Sequence, residues 1–401
     1  MNHEASRPRI RLVRDPGAEA VPPAAGAGSG PDGARRGRRV AARLRLPALL
    51  VVVALTSSAV TVHLVRGAPA PPGPRNVAVI PYWNLAAGTD AVLAHRAAVD
   101  TVSPWMFGVS DTGDVVPLVP EQAGQQQAAV RRLRAAGLKV MPTIANYRDG
   151  RWRYDPVGTV LHDPARAARQ VRQITRLAVD QGWSGVDLDY EELHAGDRDA
   201  FTGFVQALAG ALHAEDLTLS VEVFAKTSDD GYDERNRAQD YPAIAAASDQ
   251  TRVMAYDYHW STSAPGPIAP ADWVRAVLDY TLAHVPAGKV LLGLPLYGYD
   301  WVGHRGTVVS WAQVYALATS HGAPVRWDAG SQSPWLRWTD AAGAGHEVWF
   351  ENAYSSSVKI ELARARGVRG VSLWMYGDED GDTWARLAPS TPGCAVTGGP
   401  S

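Results

Sequence analysis

The stretch Ser184-Gly-Val-Asp-Leu-Asp-Tyr-Glu-Glu192 decides how this chain reads. It is a short run of strict apolar–acidic alternation entered through glycine, the signature of a strand. Successive strand side chains point to opposite faces, so Asp187, Asp189 and Glu191 share one face at a spacing of about 7 Å. The other face carries Val186, Leu188 and Tyr190, apolar enough to pack beneath helices. A strand that is acidic inside and apolar outside fits a closed barrel, whose active site lies at the C-terminal mouth. Acids crowded in such an interior raise one another's pKa, so one can stay protonated near neutral pH. A protonated carboxylic acid beside an ionised one is what cleavage of a glycosidic bond requires. Two plainer readings compete. Acids on a solvated edge strand or helix cap would not need the apolar opposite face. Aligned aspartates also suit a hard cation with oxygen ligands, although no strand-end His-x-His accompanies them.

Outward from this strand, short apolar runs alternate with helical stretches to about residue 388. The strand candidates begin at Asn76 (NVAVIPYW), Val102 (VSPWMFGV), Lys139 (KVMPTIAN) and Gly185 (GVDLDYE). Four more begin at Leu217 (LTLSVEVFA), Arg252 (RVMAYDYH), Lys289 (KVLLGLPLYGY) and Gly367 (GVRGVSLWMYG). Between them lie amphipathic segments such as PARAARQVRQITRLAVDQG, which ends at a glycine suited to a helix C-cap. Eight strands with intervening helices predict an α/β fold, a (β/α)8 TIM barrel over residues 76–388. The excess length falls after strand seven. Residues 302–352 hold one helical run and two Trp-rich strand-like pieces, expected to form a small α+β insertion module.

The 401 residues are 46% hydrophobic and 20% charged, an ordinary globular composition. A net charge of −2 gives no reason to expect nucleic acid as a partner. The single cysteine, Cys394, excludes an internal disulfide framework and a Cys-based zinc cluster. It lies in the tail 389–401, expected to be disordered. No cofactor or metal is expected, and the chain is expected to be a monomer.

Charge is concentrated at the start. Residues 1–45 carry ten arginines against four acidic residues, and their Pro, Gly and Ala run cannot build a core. Residues 46–65, LPALLVVVALTSSAVTVHLV, have the length of a bilayer crossing. The flanking arginines place residues 1–45 in the cytoplasm by the positive-inside rule. This predicts one N-terminal membrane-spanning signal anchor, a Pro-rich linker over 66–75, and a single-pass membrane protein with its barrel outside the cytoplasm. The rival reading is a secreted protein, cleaved near Ala68-Pro69-Ala70.

The acidic stretch resembles the signature of family 18 glycoside hydrolases, Asp-Gly-x-Asp-x-Asp-x-Glu on the fourth barrel strand. Gly185, Asp187, Asp189 and Glu191 match, and Ser184 stands where the first Asp would be. MAYDY from Met254, GLPLYG from Gly293 and SLWMYG from Ser372 match the family's motifs on strands six, seven and eight, in order. The segments at Ala225 (AKTSDD) and Val348 (VWFENAYSSSVKIELARARGVRG) resemble the spore-cortex and cell-wall N-acetylglucosaminidase branch.

The resemblance implies a retaining hydrolase of β-1,4-linked N-acetylglucosamine polymers, either peptidoglycan or chitin-like, in which the substrate's own acetamido oxygen attacks the anomeric carbon. It implies that Glu191 is the general acid. Asp189 would hold the acetamido N–H, Asp187 would tune Asp189, Tyr256 would bond the acetamido carbonyl, and Asp257 would contact the distorted sugar. It further implies that Trp374 floors the sugar site and that Tyr82 and Tyr297 line it. Tyr299 stands where the family often has Arg. The alternative is a non-catalytic, lectin-like barrel that binds N-acetylglucosamine polymers at the cell envelope. The presence of Glu191 and Asp189 favours the enzyme.

Overall fold

In the computed structural model, residues 13–14, 75–230, 233–375, 377 and 379–387 are described. The expected anchor at 46–65, the linker at 66–75 up to residue 74, and the tail after 388 lie outside them. Among the described residues, no helix is long and apolar enough to cross a membrane.

Eight parallel strands close on themselves. They are β1 (Val77–Pro81), β2 (Thr101–Val109), β3 (Thr143–Ala145, entered through Lys139–Val140) and β4 (Gly185–Asp189). Then follow β5 (Thr218–Phe224), β6 (Gln250–Met254), β7 (Val290–Pro295) and β8 (Gly370–Trp374). Each pairs with its sequence neighbour, and β8 returns to β1, so the sheet has no free edge within the ring. This is the (β/α)8 architecture expected from the alternation of segments.

The outward residues of β4 explain its place. Val186, Leu188 and Tyr190 are buried among the surrounding helices, and the Tyr190 hydroxyl donates to Gln170 Oε1 at 2.8 Å. Gln170 sits on the helix Pro164–Asp180, whose start is set by Asp163 accepting from the backbone N–H groups of Ala165 and Arg166. Asp163 is an N-cap and Pro164 a first-turn proline, which together fix where the helix begins. Gly182 then leaves the helix at φ +64°, the left-handed exit read from the sequence. Gly185 has a different reason: a Cβ there would collide with the Thr218 carbonyl of β5.

After β7 the chain builds an antiparallel sheet from Tyr297–Val302, Arg305–Ser310, Arg326–Asp328, Ser333–Thr339 and Gly345–Phe350. The helix Trp311–Ser320 covers it, and Val309, Val314, Leu336, Val348 and Phe350 form a separate small core. The run from Lys289 to Tyr299, read as one strand, is therefore two. It breaks at Leu296, whose N–H donates to the Trp374 carbonyl at 2.7 Å, and Tyr297 already belongs to the module.

The module rejoins the barrel through a buried ion pair. Lys359 Nζ lies 2.7 Å from Glu351 Oε2, with the two side chains 0% and 1% exposed. Burial pushes the Glu351 carboxyl up and Lys359 opposes it. A buried charge left without its partner costs far more than the pair contributes. Lys359→Met should therefore lower unfolding stability by about 3–5 kcal/mol. The double variant Glu351→Gln with Lys359→Met should recover most of that loss. Urea denaturation of the three proteins checks both.

Candidate active site

The C-terminal ends of the strands bring the expected residues to one mouth. Asp187 and Asp189 are on β4 itself, with side chains inside the barrel and exposures of 0% and 7%. The β-strand ends at Asp189, so Glu191 stands two residues beyond it. Its rung is completed by a side chain instead of a strand. Asn146 Oδ1 accepts from the Glu191 N–H at 2.8 Å, and Asn146 Nδ2 donates to the Glu191 carbonyl at 2.7 Å. This amide clamp holds Glu191 in line above the two aspartates. Ser184, where the family signature has its first acid, lies at the opposite end of β4. Its Oγ accepts from the Val140 N–H at 3.4 Å, far from the mouth.

Asp187 is held from two sides. The Thr143 hydroxyl donates to Oδ2 at 2.9 Å, and Arg252 Nη1 lies 3.0 Å from the same oxygen. Asp189 is raised well above the usual carboxylate range, by burial first, then by Glu191 and Asp187. The Trp105 indole and Arg252 act in the other direction. Glu191 is pushed up to about 8 by burial, then by the Glu192 carboxylate. Glu222 and Asp257 add to that push, and Arg235 opposes it. A carboxyl group with such a value is still protonated at neutral pH and can serve as a general acid.

The strand-six residues meet the insertion module. Asp257 takes a left-handed backbone conformation at φ +55°, where its Oδ1 accepts from the hydroxyls of Tyr297 at 2.5 Å and Tyr299 at 3.3 Å. Burial lifts Asp257 to about 6, and the two hydroxyls moderate the rise. Tyr299, at the position where the family often has Arg, is thus a second donor to Asp257. Tyr256 stays protonated, raised by burial and then by Glu222, Asp189 and Glu191. Room for its ring comes from Gly293, where a Cβ would lie 2.9 Å from Tyr256 Cε1 and 2.6 Å from the Val253 carbonyl oxygen.

The floor and one wall are aromatic. Trp105 packs edge-on to Trp374 at 5.6 Å and stacks on Tyr82 at 5.8 Å. Tyr147 and Trp152 extend the group, and Trp83 stands at its rim, 53% exposed. All eight residues expected at the site therefore gather at one end of the barrel. Among the described residues, no group of three or more His, Cys, Asp or Glu side chains is arranged to hold a metal ion. The cation inside the ladder is Arg252.

The description of glycosyl hydrolases family 18 matches residues 80–380. The chain belongs to that family. A chitinase from Chromobacterium violaceum superposes with a TM-score of 0.73 at 32% identity, over 78% of this chain and 98% of that one. The Bacillus cereus spore cortex-lytic enzyme SleL superposes at 0.71 with 25% identity, over 78% and 73% of the two chains. The cortical fragment-lytic enzyme of Bacillus subtilis is 32% identical over 241 residues, 58% of this chain and 56% of that enzyme. The chain thus spans little more than half the length of that relative. This family 18 chain is a glycoside hydrolase.

Four residues of its site were not singled out from the sequence: Asn146, Trp105, Glu222 and Arg252. For the last two a signal existed. Each is the one charged residue of its strand, β5 or β6, with the parity of the inward residues Ser220 and Met254. Asn146 and Trp105 carried none, since their roles arise from neighbours on other strands.

Glu192 gives a test of the acid's setting. Arg235 Nη1 lies 2.9 Å from Glu192 Oε1, so removing the Glu192 charge also frees Arg235 to act on Glu191. Glu192→Gln should therefore move the alkaline limb of kcat/KM to lower pH, by roughly half a unit in these partly solvated surroundings. Arg235→Ala should move it the other way. Profiles on one soluble oligosaccharide check the two signs.

Proposed function

We propose that this hydrolase cleaves β-1,4-linked N-acetylglucosamine-containing polymers of the cell wall with retention, by substrate-assisted catalysis. The observation that carries the reading is where the carboxylates lie relative to the acid. Asp189 and Asp187 descend from Glu191 on its own strand, so they lie beneath it and not across a bound sugar. Asp257, three residues past β6, has one oxygen engaged by two tyrosine hydroxyls. A retaining enzyme with a carboxylate nucleophile needs a free carboxylate about 5–5.5 Å from the acid, across the bond. The substrate's acetamido oxygen fills that role instead.

In the first step the Glu191 proton passes to the glycosidic oxygen. The bond from C1 to that oxygen breaks as the acetamido oxygen bonds to C1, giving a cyclic oxazolinium cation. Asp189, ionised, accepts from the acetamido N–H and balances the cation, Asp187 supports it from below, and the Tyr256 hydroxyl donates to the acetamido carbonyl oxygen. In the second step the Glu191 carboxylate takes a proton from water, whose oxygen bonds to C1 as the ring opens. Two displacements at C1 restore the β configuration. Trp374 stacks beneath the sugar, Tyr82 and Tyr297 line its pocket, and Asp257 contacts the distorted ring. The similarity to cortical fragment-lytic and spore cortex-lytic enzymes supports peptidoglycan as the polymer.

Glu191→Gln should lower turnover by about 10²–10⁴-fold while oligosaccharide binding persists. Proton NMR of the first product from purified peptidoglycan or chitin oligosaccharides should show the β-anomer. An initial α-anomer would mean direct attack by water and end the substrate-assisted reading.

The arginines before Leu46 and the apolar run to Val65 support a second element, a membrane tether with the barrel (residues 76–388) outside the cytoplasm. The full chain should stay with membranes after a carbonate wash. Recovery of a soluble form beginning near Pro71 would establish cleavage instead.

A further inference from the structure

Arg252 and Glu222 stand opposite each other in the register of β5 and β6, and both reach into the barrel beside the ladder. Arg252 Nη1 is 3.0 Å from Asp187 Oδ2 and 3.6 Å from Glu222 Oε1. The Arg252 and Asp187 side chains are fully buried, and Glu222 is 12% exposed. The guanidinium nitrogens make no hydrogen bond of ordinary geometry, so Arg252 acts here through its charge. One cation thus faces three carboxylates, Asp187, Asp189 and Glu222.

Three anions around one guanidinium in a dry interior repel one another strongly, and such a cluster retains protons. The question is where. Asp187 has the better compensation, since Oδ2 receives both the Thr143 hydroxyl and the nearer approach of Arg252. Glu222 is farther from the guanidinium and within hydrogen-bonding reach of Asp187. Burial and the Asp187 charge hold the Glu222 carboxyl well above its usual range, against the pull of Arg252. The other groups facing Glu222 are Asp189 and Glu191 from the β4 segment and Tyr256 from just past β6. None is a cation.

We propose that Arg252 and Glu222 form a charge-setting pair beside the ladder, in which Arg252 pairs with the Asp187 carboxylate and Glu222 carries the proton and donates it in a hydrogen bond to Asp187. Both are positioning residues, acting on the sugar through Asp187 and Asp189. The proposal rests on the roles given above to Asp189 and Glu191. Its consequence is that Asp187 does not have to store the ladder's proton. Asp187 Oδ1 and Asp189 Oδ1, both buried without a partner, stay free for the exchange that leaves Asp189 ionised when positive charge develops above it.

Two measurements separate this pair from mere barrel filling. The first needs no turnover. An infrared difference spectrum of wild type minus Glu222→Gln near neutral pH should show the loss of one protonated-carboxyl band. Loss of an ionised-carboxylate band would overturn the proposal. The second is the pH dependence of kcat/KM on a soluble N-acetylglucosamine oligosaccharide. Glu222→Gln keeps a neutral donor, so whatever its kcat its acid limb should stay at the wild-type position, and a moved limb counts against the proposal. Arg252→Met removes the cation from three carboxylates, so the acid limb should rise by about one unit, tenfold in proton affinity, with KM nearly unchanged. An unmoved limb in Arg252→Met would leave the pair a structural filler and sink the idea. If that variant does not fold, Arg252→Lys, which keeps the charge, should leave the limb in place, and a shifted limb there counts against the proposal. Glu191→Gln stands apart as a control: full activity in that variant defeats the catalytic reading itself, whereas failure at Glu222 and Arg252 alone defeats only this inference.

Discussion

An aspartate carboxylate inside a closed barrel is far from water, and burying it without compensation costs several kcal/mol. Asp187 is in that position, with no exposure at all. Everything around the mouth follows from how its charge is met. Thr143 on β3 and Arg252 on β6 converge on one oxygen, which commits the inward positions of three strands to polar side chains. Ser103, Ser220 and Ser372 continue that polar lining on β2, β5 and β8. The stability of the barrel then rests on its outer layer, where Val186, Leu188, Val221, Val253, Leu292 and Leu373 pack against the helices. The division is sharp because a strand alternates faces: the inside carries chemistry and the outside carries the core.

The insertion module completes what the barrel leaves open. Its first strand puts Tyr297, Tyr299 and Trp301 on one buried face with Ile268, against Tyr256 and Trp374. Two of those hydroxyls fasten Asp257 in a backbone conformation that a non-glycine residue rarely adopts. The module thereby ties strand six to strand eight across the mouth, and its own apolar core gives it the stiffness to do so. The Lys359–Glu351 pair anchors its return to the barrel helix. A wall built this way is held by packing, in keeping with a site that needs its groups fixed before the substrate arrives.

Electrostatically the mouth is graded from bottom to top. Arg252 supplies a deep cation beside Asp187. Asp189 and Glu222 beside it are pressed toward their neutral forms, and Glu191 at the rim is pushed up to about 8 by burial and Glu192. The proposed mechanism uses acid at the rim and compensating charge beneath it in that order: proton donation to a leaving group first, then support for the cation that remains. Glu192, just past β4, pairs with Arg235, which also holds Asp233, in the short helix Glu234–Arg237 after β5, and there solvent weakens each contribution and lets it be tuned without disturbing the floor.

Much of this was legible along the chain, and for a definite reason. Strand alternation is a local property with a period of two, so the inward face of Asp187, Asp189 and Glu191 and the outward face of Val186, Leu188 and Tyr190 can be read from adjacent residues. The caps at Asp163 and Gly182 are equally local. The eight-fold alternation of runs, added to these, determined the barrel. What the sequence could not determine were relations between strands, because register and closure are set only when all eight strands pack together. The Asn146 clamp that extends the ladder past the end of β4, the break at Leu296 that hands Tyr297 to the module, and the two tyrosine donors on Asp257 are contacts of that kind. The meeting of Glu222 and Arg252 is another: thirty residues separate them along the chain, and only the parallel register of β5 and β6 brings their charges together beside Asp187.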